Sequence, residues 1–207
     1  YFKYRNMFGT SNTLVMVIEV QHGTIFDSVE TIEKVNRITL DLLHNVPGVN
    51  GEQVISLTHP KLKTALTSGS GIKVVPLIYP RLPRDKEELE FLRKKVYTTE
   101  GVRGLVVSRD DTATLISAGF WEEYLDLNAM WEKIQEIVKR EEADGTVKIY
   151  VSGPPILFAY FVQALGTMGY VFLATAIAIT ALLWFYFRSV QGVVIPTFSG
   201  LMSAVWG

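Results

Sequence analysis

The stretch Ala164 to Phe187, ALGTMGYVFLATAIAITALLWFYF, constrains this chain more than any other. It carries no charged residue. At 1.5 Å per residue it reaches roughly 36 Å, enough to cross a hydrocarbon core of about 30 Å. Tyr160 and Phe161 mark one border. Trp184, Phe185, Tyr186 and Phe187 mark the other, with Arg188 directly after. Amphipathic rings with a cation just beyond them are the border pattern of a spanning helix. A helix buried in a soluble core would be shorter and would keep a polar stripe.

Charge divides the rest. From Ile149 to Gly207 the only charged side chain is Arg188, although the chain as a whole has 20 Lys and Arg against 21 Asp and Glu. The first part, about 150 residues, is long enough to bury a core of its own. Its near-neutral balance, without a basic stripe, argues against a nucleic-acid partner. With no cysteine in the sequence, disulfides, thiolate metal sites and a cysteine nucleophile are excluded. A second uncharged run, Val193–Gly207, reads as the start of a further membrane helix. Only Arg188–Gly192 separates the two runs, so the second should fold back as an antiparallel neighbour. Both ends read as cut, which makes the chain an expected internal fragment of a longer polytopic protein.

In order, Tyr1–Asn12 reads as a linker. Thr13–Val20 is nearly continuous apolar and β-branched, as in a central strand covered on both faces. Asp27 with Glu30 offers a capping box for a helix over about 27–45, striped by Ile32, Val35, Ile38 and Leu42. Gln53–Leu57 follows as a short strand. Pro60–Gly71 reads as a flexible loop; its Thr67–Gly71 stretch lacks the Gly-Lys-Ser/Thr ending of a phosphate-binding loop. Ile72–Tyr79, interrupted by Pro76, suits an edge strand. Asp85 and Glu88 cap a helix over about 85–98. Gly104–Ser108 and Thr112–Gly119 form a hairpin around Arg109-Asp110-Asp111, a solvated turn. Leu127, Met130, Trp131, Ile134, Ile137 and Val138 stripe a helix over about 126–142, and Val147–Val151 alternates as a last strand before Ser152-Gly153-Pro154-Pro155 breaks it. The skeleton is strand–helix–strand, an insertion, then strand–helix–strand. That predicts an α+β ferredoxin-like, split βαβ domain with both main helices on one face, followed by transmembrane α-helices.

No enzyme is expected. His22, His44 and His59 lack ligand spacing, and Ser152 reads as a turn residue without a nearby base. Glu19, the one charge inside an apolar strand, faces a cleft or pairs with a Lys or Arg at a strand end. No catalytic, cofactor-binding or metal site is assigned, and no cofactor is expected. Ala174, Ala178 and Ala181 give the membrane helix a small-residue face suited to another helix.

The order of features resembles the RND superfamily of exporters, in particular the bacterial MMPL-type proteins related to Patched-like and sterol-sensing proteins. The residues that carry it are Tyr150-Val151-Ser152-Gly153-Pro154-Pro155, Leu183-Trp184-Phe185-Tyr186-Phe187-Arg188-Ser189, and Gly192 to Pro196. The resemblance implies a periplasmic porter domain over 13–153 after a missing first membrane helix. It implies the second membrane helix over 154–187 with its lead-in, a cytoplasmic loop at 188–192, and a third helix from Val193. It further implies a bacterial inner-membrane protein exporting hydrophobic or lipid-like molecules on the proton gradient. Its partners would be membrane lipids, the substrate, and oligomer or envelope-assembly partners. The proton-carrying carboxylates would lie beyond Gly207, and the substrate-binding residues are unknown. Two other readings are a membrane-anchored periplasmic sensor or binding module, and a protein-translocation accessory protein of the same superfamily.

Overall fold

A computed structural model describes residues 12–68 and 71–206. The linker expected over Tyr1–Asn12 and the tip at 69–70 lie almost wholly outside these residues. The chain divides into two compact units, one through Tyr160 and one from Phe161 onward.

The first unit is built on β1 (Thr13–Val20), β2 (Val49–Ile55), β5 (Ala113–Phe120) and β6 (Val147–Ser152), in the order β2-β5-β1-β6. Every neighbouring pair is antiparallel. β1 is central, with Met16 opposite Ile116 on β5 and Val151 on β6. Its burial alternates: Leu14, Met16, Ile18 and Val20 are buried, and Thr13, Val15, Val17 and Glu19 are half-buried. The expectation of a strand covered on both faces is therefore corrected. An antiparallel sheet needs only one packed face, and here β-branched residues also occupy the other.

Helices α1 (Val29–His44) and α3 (Leu127–Glu141) place Ile32, Val35, Ile38 and Leu42, and Met130, Ile134 and Ile137, in one core with the buried face of β1, β5 and β6. The cap of α1 differs from the capping box expected at Asp27. Ser28 is the N-cap and accepts from the Glu30 amide at 3.2 Å, while the Asp27 carboxylate accepts from the Thr24 amide at 2.6 Å and closes the preceding turn. An Asp and a Ser in tandem compete for the same orphan donors, and here the Ser is one residue closer. Asp126 caps α3 and Asp85 caps α2 (Lys86–Thr98), the latter by accepting from the Glu88 amide at 2.9 Å.

Two further expectations are corrected. Pro60–Gly71 is not all loop, because Lys63–Ser68 forms β3 and pairs antiparallel with β4, Gly71–Pro76. Gly104–Ser108 is not a strand; Val107 makes two isolated bridges, one to Arg103 and one to Thr114 of β5. Gly101 and Gly104, both at positive φ, curl this segment away from extended geometry.

At the end of β6, Gly153 sits at φ +122, and a Cβ there would collide with the Thr13 carbonyl oxygen. No other residue fits this turn. Pro154 then occupies the first position of α4 (Pro154–Phe187), where its missing N–H costs nothing. The Ser-Gly-Pro-Pro break is thus a direct strand-to-helix junction. The first turns of α4 belong to the first unit, with Pro155 and Ala159 buried and Ile156 against the core.

In the second unit α4 continues to Phe187. Arg188, at φ +46, ends it, and α5 begins at Val190 and runs to Trp206. The loop expected over 188–192 is only Arg188-Ser189. The Ser189 hydroxyl accepts from the Gly192 amide at 3.4 Å, making Val190–Gly192 a first helical turn. The side chains of α4 beyond Phe161 and those of α5 are largely exposed, with Val193 the buried exception among the described residues. The close antiparallel packing expected of the two runs is not built. Two residues are at the lower limit for a helical hairpin connection, and the Ala174, Ala178 and Ala181 face stays open.

Candidate functional site

The residues singled out in the sequence do not converge. His44 Nδ1 lies 2.9 Å from the Leu40 carbonyl, and His59 belongs to the turn after β2 with its pKa pushed down, first by burial and then by Lys61. No group of three or more His, Asp or Glu among the described residues could hold a metal ion. Ser152 ends β6 with its side chain exposed. Glu19 stands in register with Lys148 on β6 and hydrogen-bonds Tyr150, whose phenol pKa it raises. The expected Lys or Arg partner of Glu19 is corrected: among the described residues its partner is the Tyr150 hydroxyl, and the Lys148 ammonium opposite it meets Glu142 at 3.5 Å instead.

Charge is instead organised in three places that periodicity alone does not expose. The first joins α1 to α3. Glu141, only 3% exposed, accepts from Arg37 Nη2 at 2.9 Å and from Arg140 Nε at 2.9 Å, and Arg140 also pairs with Asp41. Burial alone would raise the Glu141 pKa, but the two guanidinium hydrogen bonds outweigh it and lower it. Beside it the buried Lys34 pairs with Asp144, donates to the Thr146 hydroxyl at 2.8 Å and reaches the Glu141 carbonyl at 3.3 Å. Lys34, with the Thr146 hydroxyl and amide, holds the Asp144 carboxyl down to about 2. Lys34 falls within the buried set Thr31–Ile32–Val35 of α1, so a lysine inside an apolar stripe was the available signal.

The second is Asp111. The sequence places it in a solvated turn with Arg109 and Asp110, and this is corrected. Asp110 fits that reading: hydrogen bonds from Ser108 and Thr112 hold its pKa at about 2. Asp111 is 2% exposed at φ +61. It accepts from the Tyr97 hydroxyl at 2.5 Å, pairs with Arg93 at 3.0 Å and faces Arg103 at 3.8 Å, and its carbonyl accepts from the Ile25 amide at 2.9 Å. It pins the 99–112 segment to α2 and to the loop after β1. A buried carboxylate needs such partners, and all of them come from distant positions.

The third is a cleft of about 220 Å³ between α2 and the segment Leu77–Pro83. Leu77, Phe91 and Leu92 form its apolar side. Lys95 lines it, is 6% exposed, and donates to the carbonyls of Leu77 at 3.1 Å and Tyr79 at 3.5 Å. Arg81 and Glu88 flank it as a bidentate pair at 2.9 and 2.7 Å.

The most extensive candidate surface is apolar. α4 is 34 residues long, and its most apolar window has a mean hydropathy of 2.0 with none of its residues buried. By length and composition it is the one described helix able to cross a membrane. Thr175 and Thr180 return their hydroxyls to the carbonyls of Val171 and Ala176, both at 2.8 Å, so neither presents an unmet polar group to its surroundings. Ala176, Ile177, Thr180, Ala181, Trp184 and Phe185 line a shallow groove on it. The arrangement offers a long, exposed apolar helix and a domain whose buried charges Lys34, Glu141 and Asp111 are held in ion pairs.

Comparison with known proteins matches this layout. The profile of the MMPL family fits residues 29–206, from the first turn of α1 to the last residue of α5. No curated protein matches the chain.

Proposed function

The chain belongs to the MMPL family, and from that premise we propose that it forms part of an RND-type secondary transporter exporting a hydrophobic or lipid-like substrate on the proton gradient. The observation that carries this reading is the extent of the match, which runs from α1 through the rest of the first unit and takes in α4 and α5. Transport, not catalysis, is the function associated with this family.

In this reading residues 13–153 form a periplasmic porter domain of ferredoxin-like, split βαβ type. The strand order β2-β5-β1-β6 supports it, because each strand–helix–strand unit leaves one antiparallel strand between its parallel pair. α4 serves as the second membrane helix of a bacterial inner-membrane protein and α5 as the third, with Arg188 on the cytoplasmic side in line with the positive-inside tendency. Neither α4 nor α5 contains an Asp, Glu, Lys or Arg. Proton-carrying carboxylates, the usual intramembrane relay groups, therefore belong to other membrane helices of the transporter.

The test is transport by that protein in proteoliposomes, with a fluorescent acyl lipid in one leaflet and an imposed pH gradient. Gradient-dependent redistribution of the lipid supports the reading. Redistribution that ignores the gradient, or none with lipids of several headgroups, contradicts it.

A further inference from the structure

We propose that the cleft between α2 and Leu77–Pro83 binds a small monocarboxylate bearing one short apolar chain or ring, with Lys95 as the anchor for its anionic head. The inference rests on the geometry of the soluble unit and does not depend on transport.

Lysines are almost never this buried unless paired with a carboxylate. Lys95 has no carboxylate within ion-pair distance among the described residues. The nearby Glu88 is held bidentately by Arg81 and is not its counter-ion. The ammonium has three donors. Two go to the Leu77 and Tyr79 carbonyls, the second at the outer limit of a hydrogen bond, and its remaining near neighbour is the Phe91 ring at 4.7 Å. Among the described residues no further acceptor takes its third N–H, and that donor is the one assigned to a ligand. Burial lowers the Lys95 pKa, so a bound carboxylate would restore the charged form that burial disfavours.

The other walls suit the remainder of such a ligand. Leu77 and Leu92 are buried and Phe91 is half open to solvent, which gives an apolar floor with an accessible mouth. At about 220 Å³ the cleft exceeds the ~150 Å³ cavity known to admit a benzene ring. It has room for one ring or a short chain, but not for a two-chain lipid. Of the charged groups around it, Lys95, Arg81 and Glu88 line the cleft and Lys73 lies over the Tyr79 ring at 5.8 Å. The balance is cationic.

A lysine that merely ties Leu77–Tyr79 to α2 would make the same two carbonyl contacts, so the test must read the head group. The chain, labelled with nitrogen-15 and held in lipid nanodiscs, is titrated with octanoate and separately with 1-octanol, with empty nanodiscs as the partition control. Saturable shifts of the Leu77, Phe91 and Leu92 amides are expected, with octanoate about 10- to 100-fold tighter than the alcohol, the range of a charge-assisted hydrogen bond. Lys95→Met should abolish that preference and leave octanol binding in place. Phe91→Ala, at a half-open position, should weaken both ligands equally. Equal affinity for acid and alcohol in the native chain overturns the proposal, as does a Lys95→Met variant that keeps the preference. If Lys95→Met loses amide dispersion, the native acid-to-alcohol ratio and the Phe91→Ala result decide.

Discussion

Helices α1 and α4 meet the same backbone requirement with opposite surfaces. α1 has 16 residues, a Ser28 cap, one buried stripe and charges on its remaining face, and its Lys34 reaches a specific anion. α4 has 34 residues, no charge and no face that differs from another in polarity. In water a helix is held by burying a stripe against a core. In lipid every face is already in an apolar medium, so length and the absence of charge carry the information. The same residue type therefore has different worth in the two regions. Ile38 is fully buried and specifies the core, whereas Leu182, 69% exposed, meets the surroundings of α4.

Substituting those two residues gives the largest expected contrast. Ile38→Ala should cost the domain about 2–5 kcal/mol through lost burial and the cavity left behind, read as a lowered denaturation midpoint of the chain in nanodiscs. Leu182→Ala should leave that midpoint unchanged. A comparable loss from both would mean that α4 packs in a core. Next is a charge placed in the apolar helix. Ala178→Arg should raise the insertion free energy by about 2.5–3.5 kcal/mol, seen as a falling inserted fraction in a glycosylation-mapping assay. Leu40→Arg, at a half-open position of α1, should stay within about 0.5 kcal/mol in denaturation.

The smallest effect concerns acid. Asp144 is depressed to about 2 in the folded chain, first by Lys34 and then by Thr146. A depressed carboxylate contributes stability above its unfolded pKa of about 3.9, and that contribution is lost as pH falls towards about 2. Between those values the join between α1 and the α3–β6 turn should loosen. Asp144→Asn should flatten this part of the acid-unfolding curve and lower stability slightly at neutral pH. An unchanged curve would show that the ion pair contributes nothing measurable. Asp144 is well solvated, so a modest effect is expected.

Where the sequence was legible, it was through period. The stripes of α1 and α3 follow from spacing alone, whereas the alternate burial of Leu14, Met16, Ile18 and Val20 does not, because Val15 and Val17 make β1 apolar on both faces. The exposed run of α4 follows from composition. β4 was legible as an edge strand, but β3 escaped because its six residues run into a Ser-Gly-rich stretch that also fits a loop. Asp111 escaped because Arg-Asp-Asp between two apolar runs signals a wet turn; its burial comes from Arg93, Tyr97 and Arg103, none of them predictable from the turn. Lys95 stood between Leu92 and Val96 on a buried stripe, and its carbonyl partners at Leu77 and Tyr79 lie too far along the chain to be read from that stripe.

A membrane-crossing α4 requires that water give way to lipid between Gly153 and Phe187. The absence of cysteine permits a clean test. Glu100→Cys on the soluble unit and Ser189→Cys after α4 are labelled in turn with a membrane-impermeant maleimide on intact and on permeabilised cells. Crossing by α4 predicts that Cys at 100 reacts from outside after the outer envelope is opened, whereas Cys at 189 reacts only once the inner membrane is breached. Labelling of both from the same side would contradict it.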